Sequence, residues 1–136
     1  MIEIKLKKGQ THTAQKKANY EESSLAFGRS GIETLFSTTS LVELMIQVTV
    51  ELVGDNIPKD YISVAKNMEI SHLRPTLQGS TVTAKAELSK IDGNILYFDI
   101  VCYDEQGETA KGKQERHIVN KEGLINKAHQ LSENIN

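Results

Sequence analysis

The stretch Phe36–Val53, FSTTSLVELMIQVTVELV, is almost wholly apolar apart from a cluster of hydroxyl residues at its start. At 3.6 residues per turn Glu43, Gln47 and Glu51 fall on one narrow stripe, while Leu41, Val42, Leu44, Met45, Ile46, Val48, Leu52 and Val53 cover most of the remaining circumference. Such a helix needs covering on nearly every side. The rest of the chain carries mainly strand patterns, so the sequence predicts an α+β fold in which a curved antiparallel sheet wraps one long helix. Thr38 begins the segment and can cap it, which would place a hydroxyl beside first-turn N–H groups.

The remaining elements follow from periodicity. Ile2, Ile4 and Leu6 alternate with Glu3, Lys5 and Lys7 and predict a short strand, and Thr11 to Ala18 a second one or its continuation. Asn19 to Gly31 is polar and punctuated by glycine, as expected of a loop with one helical turn that could serve as a flap. The long helix should run from about Thr39 to Val53 and stop at Gly54. In Tyr61 to His72 the inward parity is read as Ile62, Val64, Met68 and Ile70, interrupted by Lys66, with His72 inward at the strand's end. Val82, Ala84, Ala86 and Leu88 should face in, followed by an Asp92-Gly93 turn of type I′ and then Leu96, Phe98, Ile100 and Cys102 on the same face. Ile95, Tyr97, Val101 and Tyr103 make the opposite face apolar too. A polar strand, Glu108 to Val119, and a weakly amphipathic helix, Lys121 to Asn134 with Leu124, Ala128, Leu131 and Ile135 in line, close the chain.

With 136 residues and one cysteine, the chain suits a single domain over residues 1–136, its core at about 11–120, with no internal disulfide. A formal charge of -2 argues against nucleic-acid binding, which rests on clustered Lys and Arg. No apolar run reaches the ~20 residues of a membrane span, and the opening MIEIKLKKGQ lacks the apolar core of a secretory signal, so a cytoplasmic location is expected.

Thr38 and His72 are the candidate chemical pair. A hydroxyl at a helix N-terminus and an imidazole on the core face of a strand can activate a nucleophile or a water, with helix-end N–H groups available to an oxyanion. The structural alternative, a plain cap and a satisfied strand-end histidine, stays open at this point. Glu43 is better explained by structure than as a partner for His72: it completes a capping box if the helix starts at Ser40, and otherwise it lies on the solvated stripe. Four scattered histidines offer no metal-ligand spacing, and no cofactor is expected. Lys111, Lys113 and Arg116 form a modest basic cluster that could meet an anionic ligand or simply defend an edge strand. Cys102, facing inward, should be an inert small hydrophobe.

FSTTSLVELM, then ISHLRPTLQGSTVTAKAELSKIDG, then YDEQGETAKGKQERHIVN resemble the fluoroacetyl-CoA thioesterase-like family of hotdog-fold proteins over roughly Asn19 to Lys127. The resemblance implies a hotdog fold and a homodimeric hydrolase of acyl-CoA or a similar thioester, with a threonine, a glutamate and a histidine near the subunit interface. Thr38 and His72 match the first and third. The glutamate position, eight residues after the threonine, is Ile46 here. Ala65 replaces a glycine on the strand before His72, and Gln114 stands where a histidine commonly precedes Glu115-Arg116. Ile46, Ala65, Gly79 of the S-H-x-x-x-x-x-x-G-S-T-V segment and Arg116 are the candidate substrate-binding positions. The missing carboxylate leaves two expectations: a thioesterase acting on a small or medium acyl group, or a catalytically impaired acyl-CoA binding or sensing protein. The Asp-and-His signature of hotdog hydratases is not visible around His72.

Overall fold

The structure is a computed structural model that describes residues 2–19 and 35–134. The expected flap lies, Asn19 apart, outside the described residues, as does Ile135. The described residues form strand β1 (Thr11–Lys17), helix α1 (Thr38–Val53), strands β2 (Tyr61–His72), β3 (Thr81–Asp92), β4 (Ile95–Asp104) and β5 (Gly107–Asn120), and helix α2 (Lys121–Glu133). The strands make one antiparallel sheet in the order β1-β3-β4-β5-β2, leaving β1 and β2 at its edges.

Helix α1 shares one core with the inward side of the sheet. Leu41, Leu44, Met45, Val48 and Leu52 are buried with Val82, Ala84, Ala86 and Leu88 of β3 and Leu96, Phe98, Ile100 and Cys102 of β4, as their alternation predicts. Each large aliphatic side chain so buried contributes about 1.5–3 kcal/mol. The close approach of helix to sheet depends on Gly112, where an added β-carbon would lie 2.9 Å from the Glu69 carbonyl oxygen and 3.2 Å from Met45 Sδ. A second tie is polar: Thr49 Oγ1 donates to Gln114 Oε1 (2.8 Å) and Gln114 Nε2 to the Met45 carbonyl (3.3 Å). The Glu43, Gln47, Glu51 stripe is exposed as expected, and Glu51 accepts from Gln47 (2.9 Å) and pairs with His12 of β1 (3.0 Å). Covering is incomplete on the neighbouring stripe, where Val42 and Ile46 are half-buried and Val50 is 46% exposed.

Several expectations are corrected. Ile2 to Leu6 pairs with no strand among the described residues; it tucks Leu6 into the core and donates Lys5 N–H to the Asn56 carbonyl beyond α1. In β2 the register jumps from Ala65↔Arg116 to Asn67↔Glu115, so Lys66 is an extra residue in a β-bulge. Because side chains alternate faces, the bulge reverses the parity: Tyr61, Met68 and Ile70 pack on the core, while Ile62 and Val64 share the outer face with Val119 and His117. The turn between β3 and β4 has Gly93 and Asn94 at its centre, with positive φ at Gly93 alone (+61°), which marks a type II′ rather than a type I′ turn. The final polar strand is not an edge, since β5 lies between β4 and β2. Helix α2 forms where expected, capped by Asn120, but none of its described residues is buried; Leu124 is half-buried and Leu131 is 55% exposed.

Candidate active site

Four consecutive hydroxyl residues, Ser37 to Ser40, open α1, and geometry decides between them. Ser37 is the cap: its backbone is extended and its Oγ accepts from the Ser40 N–H (3.0 Å) and donates to Ser40 Oγ (2.9 Å). Thr38 is therefore the first helical residue rather than the cap, and its hydroxyl is released from the helix's own accounts. No capping box involves Glu43, which is exposed and whose side chain makes no hydrogen bond or ion pair among the described residues.

The released hydroxyl meets the imidazole at the end of β2: Thr38 Oγ1 lies 2.8 Å from His72 Nδ1. Strand parity after the Lys66 bulge turns His72 to the inward face, opposite Ala110 of β5. Burial lowers the pKa of His72 below the usual imidazole value, with a backbone hydrogen bond at Arg74 acting the other way, so the ring is neutral at pH 7. Among the described residues the N–H groups of Thr38 and Thr39 have no acceptor, because Ser40 and Leu41 donate to Ser37 and the first turn has no earlier carbonyls to offer. Neutral base, hydroxyl and unpaired helix-end N–H groups thus stand together, a set suited to attack on a carbonyl.

The surroundings of the pair are held by groups that sequence alone did not single out. Leu73 and Arg74 N–H groups both donate to the Thr109 carbonyl (2.8 and 3.2 Å). Asp104, 8% exposed, accepts from Arg74 Nη2 (2.5 Å), Thr76 Oγ1 (2.8 Å) and the Gln106 N–H (2.8 Å). Burial works against its ionisation, but these three donors outweigh it and hold the carboxyl below the usual carboxylate range. The Phe36 N–H donates to the Thr76 carbonyl (2.9 Å), and Leu35 bridges Leu77. The signal in the sequence was faint: Arg74-Pro75 marks only a strand break, and Asp104 opens a turn.

The other candidate residues lie apart. Ile46 is two turns along α1, about 12 Å from Thr38 at 1.5 Å per residue. Ala65 is exposed, faces Arg116 across the sheet and precedes the bulge, about 20 Å along the strand from His72. Gly79 sits in the turn after Leu77 with φ +93° and donates its N–H to the Ala18 carbonyl (2.7 Å). Arg116, 4% exposed, donates to Ser63 Oγ (2.9 Å), the Ser63 carbonyl (2.8 Å) and Gln114 Oε1 (2.7 Å). The basic cluster is split by strand parity, Lys111 and Lys113 pointing outward to Glu108 and Asp99. Among the described residues no group of three or more His, Cys, Asp or Glu could hold a metal, and no helix is long and apolar enough to cross a membrane.

A long helix against one antiparallel sheet in this order is the hotdog fold, and solved structures of that class superpose on the chain. A hot-dog-like protein from Thermanaerovibrio acidaminovorans matches with a TM-score of 0.84 at 25% identity, covering 90% of each chain. A Thermus thermophilus hypothetical protein of the thioesterase superfamily gives 0.85 at 21% identity over 94% of each. A variant of the fluoroacetyl-CoA thioesterase FlK crystallised with acetyl-CoA gives 0.82 at 22% identity, over 92% of this chain and 98% of that one. No curated protein matches the chain by sequence. Residues 20–122 match the family model of the fluoroacetyl-CoA-specific thioesterase, and the chain belongs to that family. Its fold and family are those of a thioesterase-like protein.

Proposed function

We propose that the protein is a cytoplasmic, homodimeric acyl-CoA thioesterase that hydrolyses a small or medium acyl thioester with Thr38 and His72. The observation that carries this is the 2.8 Å contact between Thr38 Oγ1 and His72 Nδ1 at the start of α1. A neutral imidazole has one lone pair; with Nδ1–H donated to Thr38 Oγ1, that lone pair is on Nε2. Nε2 takes a proton from a water as the water oxygen attacks the thioester carbonyl. The Thr38 hydroxyl and the Thr38 and Thr39 N–H groups stabilise the oxyanion that forms, and the expelled thiolate takes the proton back from Nε2.

The family's glutamate has no counterpart on this ring. In a serine hydrolase, neutralising the group that orients the histidine costs about 10⁴ in turnover, or about 5 kcal/mol of barrier. Here Thr38 supplies the orienting contact, at neutral rather than negative charge, so slow turnover is expected. Ile46 lies too far along α1 to reach the pair of its own subunit and lines the acyl site from a second copy. Support for that copy comes from the outer edge of β2, which pairs with no further strand among the described residues, and from the partly exposed Val42, Ile46, Val50 stripe, surfaces that a dimer would close. Ala65 and Gly79 enter as small backbone positions on the edge strand and the turn after His72. Arg116 enters as a position that helps hold the CoA while bracing β2 through Ser63. Exposed Leu73, which follows His72 in the chain, and exposed Leu77, which bridges Leu35 before α1, offer apolar surface for an acyl chain.

The test is steady-state release of CoA thiol from a panel of short and medium acyl-CoAs, beside sedimentation of the protein at micromolar concentration. Turnover above buffer for at least one substrate by a dimer is expected; no turnover for any, or a monomer, counts against it. Ile46 in place of a carboxylate favours a second reading, an acyl-CoA binding protein with impaired chemistry. Calorimetric binding of acyl-CoA without turnover, and turnover gained in Ile46→Glu, would select it.

A further inference from the structure

We infer that Asp104 is the positioning residue of the Thr38–His72 pair, tying the loop that leaves His72 to the segment that enters α1. This rests on the thioesterase reading only for its kinetic arm. Thr38 and His72 sit on different elements, the first turn of a helix and the last residue of a strand, 34 residues apart in the chain. Their hydrogen bond survives only if both ends are fixed, and one side chain, Asp104, has contacts that run towards both. On the His72 side, Asp104 Oδ1 holds Arg74, whose Nη2 and Nε also reach the Gly107 and Glu108 carbonyls (3.1 and 3.4 Å). On the Thr38 side, Asp104 Oδ2 holds Thr76, whose carbonyl accepts the Phe36 N–H two residues before Thr38.

The platform beneath is built for this arrangement. The β4–β5 register shifts between Cys102↔Ala110 and Tyr103↔Glu108, so Thr109 is an extra residue whose carbonyl turns to the chain leaving β2. A carboxylate with both oxygens engaged at 8% exposure joins the β4–β5 turn to the loop after His72, and that loop in turn holds the entry to α1 through the Phe36 N–H to Thr76 carbonyl bond and the Leu35–Leu77 bridge. Asp104 does not touch the reacting atoms and acts through the two residues that do. Displacing reacting groups by about 1 Å can cost on the order of 10² in rate.

The experiment compares wild type, Asp104→Asn and Thr76→Val, the last removing one arm only, for cases where the first fails to fold. Two readouts are taken: the pKa of the His72 imidazole by NMR titration, and kcat and KM on the best acyl-CoA. Asp104→Asn should lower kcat by about 10- to 100-fold with KM within about threefold, and add no further loss in a His72→Ala background. It should also raise the His72 pKa towards the usual imidazole value as the loop loosens. Thr76→Val should move both in the same direction by less. Unchanged kcat per folded molecule with an unchanged His72 titration, whatever happens to the melting temperature, overturns the inference. If wild type hydrolyses nothing, the thioesterase reading fails, and the NMR arm still decides whether Asp104 sets the environment of His72.

Discussion

Gly112 of β5 passes directly beneath Met45 of α1, with no room for a side chain between the Met45 thioether and the Glu69 carbonyl. One of the two neighbours is backbone and cannot swing aside. Gly112→Ala is therefore expected to cost about 1–3 kcal/mol, as overpacking does. A urea melt would show it as a lower midpoint at unchanged slope, and an unaltered midpoint would mean that helix and sheet are not as closely docked as the geometry requires.

Ser37 caps α1, and Thr38 depends on that first turn for its position. Ser37→Ala should lower stability by about 1 kcal/mol. Ser37→Thr, which keeps the acceptor, should restore most of it. Equal melting temperatures for all three proteins would return the capping role to Thr38.

Cys102 is fully buried, and burial pushes its thiol up to about 12. The thiolate is the reactive form, so an alkylating reagent at pH 8 should modify Cys102 only as fast as the protein unfolds. Mass spectrometry of alkylation against time would check this. Rapid labelling of the native protein would place the cysteine at an accessible surface.

His72 titrates below the usual imidazole value because burial disfavours its charged form. The neutral ring is the base, so kcat/KM should rise with pH through a value below 6.5 and level off above it. The same shift enters stability: the unfolded chain binds the proton more readily, so this contribution is present above the usual value and is lost as pH falls through the folded-state one. A pH–rate profile with its acid limb above 6.5 would contradict the sign.

The sequence made the central helix and the cores of β3 and β4 legible because their alternation runs without interruption and their partners are chain neighbours. It misled at Lys66, where a charged residue in an apolar parity looks like a tolerated exception; it is an inserted residue that turns Ile62 and Val64 outward. Alternation at Ile2 to Leu6 was real but found no partner strand among the described residues, since pairing is a property of the neighbour and not of the segment. Thr38 and His72 were legible from the helix start and the strand's end as well as by resemblance, and that they touch was not, because 34 residues separate them. Ser37 was masked by three equivalent hydroxyls beside it. Asp104 was invisible because its two side-chain partners lie 28 and 30 residues away.

The hydrolytic role of the threonine–histidine contact is tested most directly by comparing CoA release by wild type and by His72→Ala on the best acyl-CoA substrate. Loss of a positioned general base is expected to lower kcat by about 10²- to 10⁴-fold with the fold intact. Undiminished turnover in His72→Ala would contradict the assignment of the site.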